Sequence, residues 1–263
     1  MIRRPPRSTL SSSSAASDVY KRQPVGAHWI SDRQSGPLII RYGTEKHQKE
    51  LLPGILKGES YFCIGMSEPD SGSDLAALRT KAEKKGDIYL VKGTKLWTSG
   101  AHRCQYMIAL FRTSQEEDRH GGFSQFIVDL SLPGVTIRPI IDLAGRHHFN
   151  EVIFEDVEVP EDMLIGTEGN GWNQVTAELA LERSGPERYL SSYMLLQELV
   201  NEFSNKNDDE GVTEIGRQMS HLTTLRQMSV SVAGMLDQGE NPALEASVVK
   251  DLGAVFEQDS LDA

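Results

Sequence analysis

Two short stretches of this 263-residue chain hold residues whose types and spacing could do chemistry together. The first runs Phe62-Cys63-Ile64-Gly65-Met66-Ser67-Glu68-Pro69-Asp70-Ser71-Gly72-Ser73-Asp74, and the second is Lys95-Leu96-Trp97-Thr98-Ser99-Gly100. Ile64, Met66 and Ser67 lead a strand into a turn of small polar residues, Asp70-Ser71-Gly72-Ser73, which permits close backbone approach to a pyrimidine or a phosphate. Trp97 offers a flat face to a tricyclic ring. Thr98, one residue on, presents its hydroxyl on the other side of the strand. Each stretch alone also has a plainer reading, as a serine-rich hairpin turn without a ligand and as a core tryptophan on a barrel strand.

The elements that must position these residues are bounded by composition. With 38% hydrophobic and 25% charged residues the chain can build one large or two modest cores and reads as a globular protein. No run approaches the roughly 18 apolar residues that cross a bilayer, so no membrane span is expected. The net charge of −11 argues against nucleic acid as a partner, and a polyanionic ligand has to be met by local groups. Cys63 and Cys104 stand far apart with no C-x-x-C spacing, which suits a reducing compartment and two small buried thiols.

Residues 1–23 differ from the rest. Arg3, Arg4, Arg7, Lys21 and Arg22 face Asp18 alone, and the segment has almost nothing apolar to bury, so it is expected to be disordered. Its text reads as a translated sequencing adapter, or else as an organellar transit peptide, although Pro5-Pro6 and the serine run leave it no amphipathic face.

From Pro37 to Glu59 the spacing is helical, with Thr44 placed as a cap and Leu51 and Leu52 leading into Pro53-Gly54. From about Tyr61 the period moves toward two, through Ile88 and Leu90, the run Met107 to Phe111, then Phe126-Ile127-Val128, Val135 to Ile137 and Val152 to Val159. Turns at Gly86-Asp87, Gly93, Gly121-Gly122 and Pro133-Gly134 leave no room for helices between these runs. Helical spacing returns at Trp172, Val175 and Leu179, with Asn170 as a cap; Gly185-Pro186 should break it. Further helices are expected from Thr213 to Met235 and after Asn241-Pro242. The predicted fold is α+β: a tail at 1–23, a helical remnant at 24–60, an antiparallel β-barrel or sandwich at 61–165, and a partial helical domain at 166–263 that looks incomplete or dependent on a partner chain.

In this order and at this separation the two motifs resemble the flavin-binding signature of the acyl-CoA dehydrogenase family. Tyr42-Gly43-Thr44-Glu45, Asn150-Glu151-Val152 through Val159-Pro160, Gly169-Asn170-Gly171-Trp172 and Leu181-Glu182-Arg183 fall at the family's order and spacing, so the resemblance covers about residues 37–260. It implies FAD lying between the middle β domain and the C-terminal helices, contacted by Ile64, Met66, Ser67, Ser73, Trp97, Thr98 and Ser99. In the family the tryptophan packs on the ring, the threonine bonds near N5 and O4, and the serine matched by Ser73 faces the thioester. The implied reaction is dehydrogenation of an acyl-CoA to the trans-2-enoyl-CoA, with electrons passing to an electron-transfer flavoprotein. Glu182, directly before Arg183, matches the position where a minority of the family carries its base; the rest place it in a C-terminal loop. Arg183 is expected near the substrate, while the aspartate found three residues earlier in several members is Ala180 here.

The resemblance also implies a homodimeric or tetrameric parent, located in the bacterial cytoplasm, or in the mitochondrial matrix if the tail is a transit peptide. Read as truncated at both ends, the chain by itself is expected to be inactive and to retain little FAD. Three other functions stay open: an acyl-CoA oxidase, a flavin monooxygenase of the same superfamily, and a catalytically inactive partner subunit. His147-His148 is a poor metal pair, because neighbours on a strand face opposite ways, and no metal site is expected. His102 reads as a hydrogen-bonded loop histidine. Gly166, Gly169 and Gly171 do not make a nicotinamide fingerprint.

Overall fold

The computed structural model describes residues 29–203 and 209–262, so the expected disordered tail at 1–23 and the first residues of the expected helical remnant lie outside the described residues. The chain divides between Gln174 and Val175 into two compact units. Among the described residues no helix is long and apolar enough to cross a membrane.

The first unit opens with a π-helical turn, Ser31–Ser35, that runs into α1 (Gly36–Tyr42) and α2 (Glu45–Lys57). Thr44 starts α2 as the spacing predicts: its side chain accepts from His47 N, while His47 Nδ1 accepts from Thr44 N. That reciprocal bond leaves the proton of the imidazole on Nε2, which is 2.5 Å from the Asp162 carbonyl oxygen, 115 residues away in sequence. Lys46 reaches the carboxylate of the same Asp162 at 2.5 Å. Leu51 and Ile55, one turn apart, form the buried face of α2.

Seven strands follow among the described residues: β1 (Phe62–Gly65), β2 (Lys81–Lys85), β3 (Ile88–Ser99), β4 (Tyr106–Arg112), β5 (Phe123–Asp129), β6 (Val135–Ile141) and β7 (His147–Pro160). They make one sheet in the order β1-β4-β2-β3-β7-β6, with β5 on β4. The expected antiparallel pairing holds for most of it and fails at β4, which lies parallel to β1 and, at its end, to β2. The chain between β1 and β4 passes through the β2–β3 hairpin and re-enters beside β1 in the same sense.

The sheet separates two clusters of apolar side chains. On one side Tyr89, Val91, Met107, Phe111, Phe126 and Phe154 interdigitate, Phe111 meeting Phe154 edge to face at 5.4 Å between ring centres. On the other, Phe62, Ile108 and Ile127 pack with Leu38, Ile39 and Ile55 of the helices. β4 is therefore covered on both faces, which is why its sequence is an unbroken apolar run instead of an alternation.

Gly93 sits at a register shift of β3 with φ of 147°. A Cβ there would lie 2.5 Å from Thr80 Oγ1 and 2.8 Å from Thr80 Cα. Gly93→Ala is expected to lower stability by roughly 2 kcal/mol, from the backbone conformation and the overlap together. A urea midpoint falling with an unchanged m-value would register it.

α3 (Gly171–Arg183) crosses the division between units. In the second unit the 3-10 turn Pro186–Arg188, α4 (Tyr193–Phe203), α5 (Asp209–Asp237) and α6 (Ala243–Asp262) bury Tyr189, Leu196, Leu222, Leu225, Val249 and Phe256. The predicted break at Gly185-Pro186 is present, and the two long helices fall where the spacing puts them. α4 is an element that the spacing did not announce.

Candidate functional site

β1 delivers Ile64 and Met66 to a tight turn closed by two backbone bonds, Glu68 N to Ser71 O at 2.7 Å and Ser71 N to Glu68 O at 3.1 Å. Ser71 Oγ donates to Asp74 O at 2.9 Å. Gly72 and Ser73 form the exposed tip, and Arg119 pairs with Asp74 beside it. This turn meets β3 directly: Leu96 N donates to Ser67 O at 2.8 Å, and Lys95 Nζ donates to Met66 O at 3.1 Å. The serine-bearing turn and the indole strand thus converge.

A buried ion pair holds them. Lys95 has no exposed side-chain surface, and its ammonium lies 2.9 Å from Glu68 Oε1 and 5.6 Å from the centre of the Phe111 ring. Glu68 also accepts from Thr80 N at 3.0 Å and Arg79 N at 2.6 Å, so one carboxylate ties both ends of the 68–80 loop to the strand. Burial pushes the Lys95 pKa down to about 8 despite the carboxylate that opposes the shift. Burial works against the Glu68 carboxylate too, but the Lys95 charge and the two backbone donors outweigh it and hold its pKa below the usual value. Neither residue was among the candidates. Lys95 shares its strand phase with the buried Tyr89 and Val91, and that is the signal that could have found it.

Beyond Lys95 the ladder between β3 and β7 slips, and the register resumes at Thr98 opposite Asn150. Inside this bulge Trp97 adopts a φ of 60°, a conformation uncommon for a bulky residue and most often kept where function requires it. Its side chain is 55% exposed and meets Phe149 edge to face at 5.9 Å. It is a shelf, not a core residue. Thr98 points the other way and is buried, and its Oγ1 has no hydrogen-bond partner among the described residues. Ser99 is half-buried beside it. A buried hydroxyl without a partner normally costs stability, so an orphan next to an exposed aromatic face marks where a polar planar ligand would complete the bond. The residues present therefore fit a flavin: an indole face, a free buried hydroxyl, and a tight turn with open space at Gly72.

Glu182 and Arg183 belong to the second unit. Glu182 pairs with Arg188, whose Nε also donates to the Glu182 carbonyl at 3.1 Å, and Arg183 Nη1 donates to Ser247 Oγ at 2.9 Å. His102 is hydrogen-bonded, as its loop position suggested, to Asn150. His147 bonds Asn150 as well, while His148 turns to the Phe149 ring.

A family model for the middle domain of acyl-CoA dehydrogenases matches residues 63–157, a span that contains both motifs. Acyl-CoA dehydrogenase FadE29 of Mycobacterium tuberculosis is 42% identical over 183 residues, covering 68% of this chain and 46% of that protein. Acyl-CoA dehydrogenase IpdE1 of the same organism is 43% identical over 148 residues, 56% of this chain and 38% of the relative. The chain thus spans about half or less of the length of these curated relatives. A solved structure, the Tcur3481-Tcur3483 steroid ACAD, has a TM-score of 0.77 at 27% identity over 89% of this chain and 62% of that one. The ChsE4-ChsE5 complex from Mycobacterium tuberculosis gives 0.71 at 29% identity, over 89% and 64%. Sequence and fold agree with the paired motifs, and the chain belongs to the acyl-CoA dehydrogenase family.

Proposed function

We propose that the chain serves an FAD-dependent acyl-CoA dehydrogenase of lipid β-oxidation, one that converts an acyl-CoA thioester to its trans-2-enoyl-CoA and hands electrons to an electron-transfer flavoprotein, in a homo-oligomeric parent. The observation that carries this reading is the orphaned Thr98 hydroxyl beside the exposed Trp97, in the strand to which the Ser67 turn is fastened. When bound, FAD supplies a two-electron acceptor for the substrate's β-hydrogen. Trp97 covers one face of the ring and Thr98 donates to its polar edge, while Ile64, Met66, Ser67 and Ser99 line the approach. Ser73, at the exposed tip of the turn, is the proposed contact for the thioester.

Proton removal needs a base, because the α-hydrogen of a thioester is only weakly acidic. Glu182 is proposed for that task and Arg183 for the substrate side. Glu182 is held by Arg188, which meets both its carboxylate and its backbone carbonyl.

A full-length version, extended to the length of its relatives, tests the reading: yellow protein bleached by acyl-CoA without oxygen supports it, and colourless protein overturns it. Hydrogen peroxide release, or a hydroxylated product, would replace it with the oxidase or the monooxygenase. Thr98→Val separates a ligand role from a structural one. Removing a buried hydroxyl that has no partner should leave the ligand-free chain as stable or about 1 kcal/mol more stable, and weaken FAD binding by roughly tenfold for the bond lost. Thermal melts and a flavin titration read both effects, and a destabilised apo form with unchanged affinity would remove Thr98 from the site.

A further inference from the structure

Asn150 lies under the bulge with no exposed surface. Its Nδ2 donates to the Thr98 carbonyl at 2.9 Å, across the point where the ladder resumes. Its Oδ1 takes two histidines, His147 through Nε2 at 2.7 Å and His102 through Nδ1 at 3.2 Å. Both nitrogens have to donate, since an amide oxygen only accepts. The opposite side of His102 agrees, because Arg103 Nε, which can only donate, points at His102 Nε2 from 3.1 Å. His102 is thereby fixed as the neutral Nδ1–H tautomer. Burial, with the neighbouring His147, Arg103 and His148, keeps its pKa below the usual value, against the opposing bond to Asn150. The two imidazoles stack at 3.8 Å between centres with 22° between planes, an arrangement that two neutral rings tolerate and two cations do not.

The bonds run in one direction. His102 and His147 occupy the oxygen of Asn150, which aims its NH2 group at Thr98 O and decides which way the amide can sit. That bond is placed at the residue after Trp97, where an unassisted ladder would be broken by the bulge. The same segment is held from behind: Gly100, in the left-handed conformation with φ of 67°, donates its N–H to His148 O at 2.9 Å and starts the 3-10 turn that carries His102.

We infer that Asn150, His102 and His147 form a positioning triad that holds the Trp97–Thr98 bulge in its ligand-ready shape, with the two histidines acting as donors that orient the amide. The role at the bulge stands on these contacts; its bearing on FAD rests on the function proposed above. The triad touches the bulge and not the ring, so it acts through Trp97 and Thr98.

The test uses the whole 263-residue chain, labelled with 15N, at pH 7. Long-range proton–nitrogen spectra should show His102 protonated on Nδ1 and bare on Nε2, and His147 protonated on Nε2. The Trp97 indole cross-peak, assigned as the one lost in Trp97→Phe, should move in Asn150→Ala and in His102→Phe while amide peaks of the core strands hold their positions. In the full-length version, free FAD should bind about tenfold more weakly to either variant than to the parent, as loss of one orienting bond implies. An Nε2-protonated or doubly protonated His102, or an unmoved Trp97 peak in folded Asn150→Ala, overturns the triad. If Asn150→Ala does not fold, His102→Phe, which keeps a ring against His147 and loses the Nδ1 donor together with the exposed acceptor for Arg103, decides by the same readouts. Expected tautomers and peak shifts without any FAD binding by the full-length version would sink the flavin reading and leave the triad standing. Equal FAD affinity in parent and variants would do the reverse.

Discussion

Glu68→Ala is expected to destabilise the first unit by about 3–5 kcal/mol, because it leaves a buried ammonium without its counter-charge. Lys95 has no exposed surface, and with Glu68 gone the polar partner that remains to it among the described residues is Met66 O, at 3.1 Å. The N–H groups of Arg79 and Thr80 lose their acceptor in the same substitution. The lysine then sheds its proton: its pKa is already down to about 8 with the carboxylate in place, and without it the neutral amine is favoured at pH 7. The double change Glu68→Leu with Lys95→Met should recover much of the loss, since a buried pair replaced by apolar groups of similar volume is often neutral or stabilising. Such a rescue restores packing but not the tie between turn and strand. A rescued fold with weakened FAD binding is the expected pattern.

The pair also sets a pH dependence whose sign follows from Glu68. Its folded pKa lies below the unfolded value of 4.5, so its stabilisation is fully present above 4.5 and is lost as pH falls through the folded value. The gap in urea midpoint between the parent and Glu68→Gln should therefore be wide at pH 7 and close on acidification toward pH 3. A gap that stays constant with pH, or equal midpoints at pH 7, would mean that the turn is held to β3 by its backbone bonds alone.

In the full-length version Glu182→Gln is expected to lower kcat by about 10²–10⁴-fold, the usual contribution of a general base, with the flavin spectrum unchanged. The substitution is conservative where it sits. Glutamine keeps an oxygen that Arg188 can donate to, and the second Arg188 bond goes to the Glu182 backbone carbonyl, which the change leaves in place. Loss of turnover would then report on the proton and not on the helix. Anaerobic mixing with acyl-CoA gives the direct measurement, because bleaching should slow by the same factor. Unaltered turnover would take Glu182 out of the reaction and move the base to another carboxylate.

Much of the architecture can be read from local chemistry. Thr44 caps α2 because a threonine hydroxyl can reach the N–H three residues on; Pro186 ends the helical run because its ring cannot continue one; the period of two through Ile88 and Leu90 announces a strand, although its fully buried side chains are those of the other phase, Tyr89 and Val91. What escapes is whatever depends on residues far apart. The parallel β1–β4 pair is fixed by how the intervening hairpin returns the chain, and no residue of Phe62–Gly65 encodes it. α4 hides because its apolar residues, Tyr193 through Leu196 and then Leu199, Val200 and Phe203, follow a turn whose proline suggests an ending.

At the site the outcome is similar. Trp97 and Thr98 on opposite sides of a strand follow from the period of two. The bulge that turns Trp97 outward, although it shares its phase with the buried Lys95, comes from the β7 partner. Charged residues in a strand or a turn are ordinarily read as solvent-facing, which is why neither Lys95 nor Glu68 stands out in the sequence. Asn150 was visible only as part of a motif, and its work is apparent only once His102 and His147 are seen on its oxygen.

The clasp of His47 and Lys46 on Asp162 bears on the order in which the molecule can assemble during synthesis. Its two halves are separated by 115 residues, so at ribosomal speeds of roughly 5–20 residues per second the leading helices wait on the order of ten seconds before their anchor has been translated. Throughout that interval Leu51 and Ile55 lack part of the surface they finally cover, and the nascent chain must be shielded there or stay soluble on the strength of its lysines and glutamates.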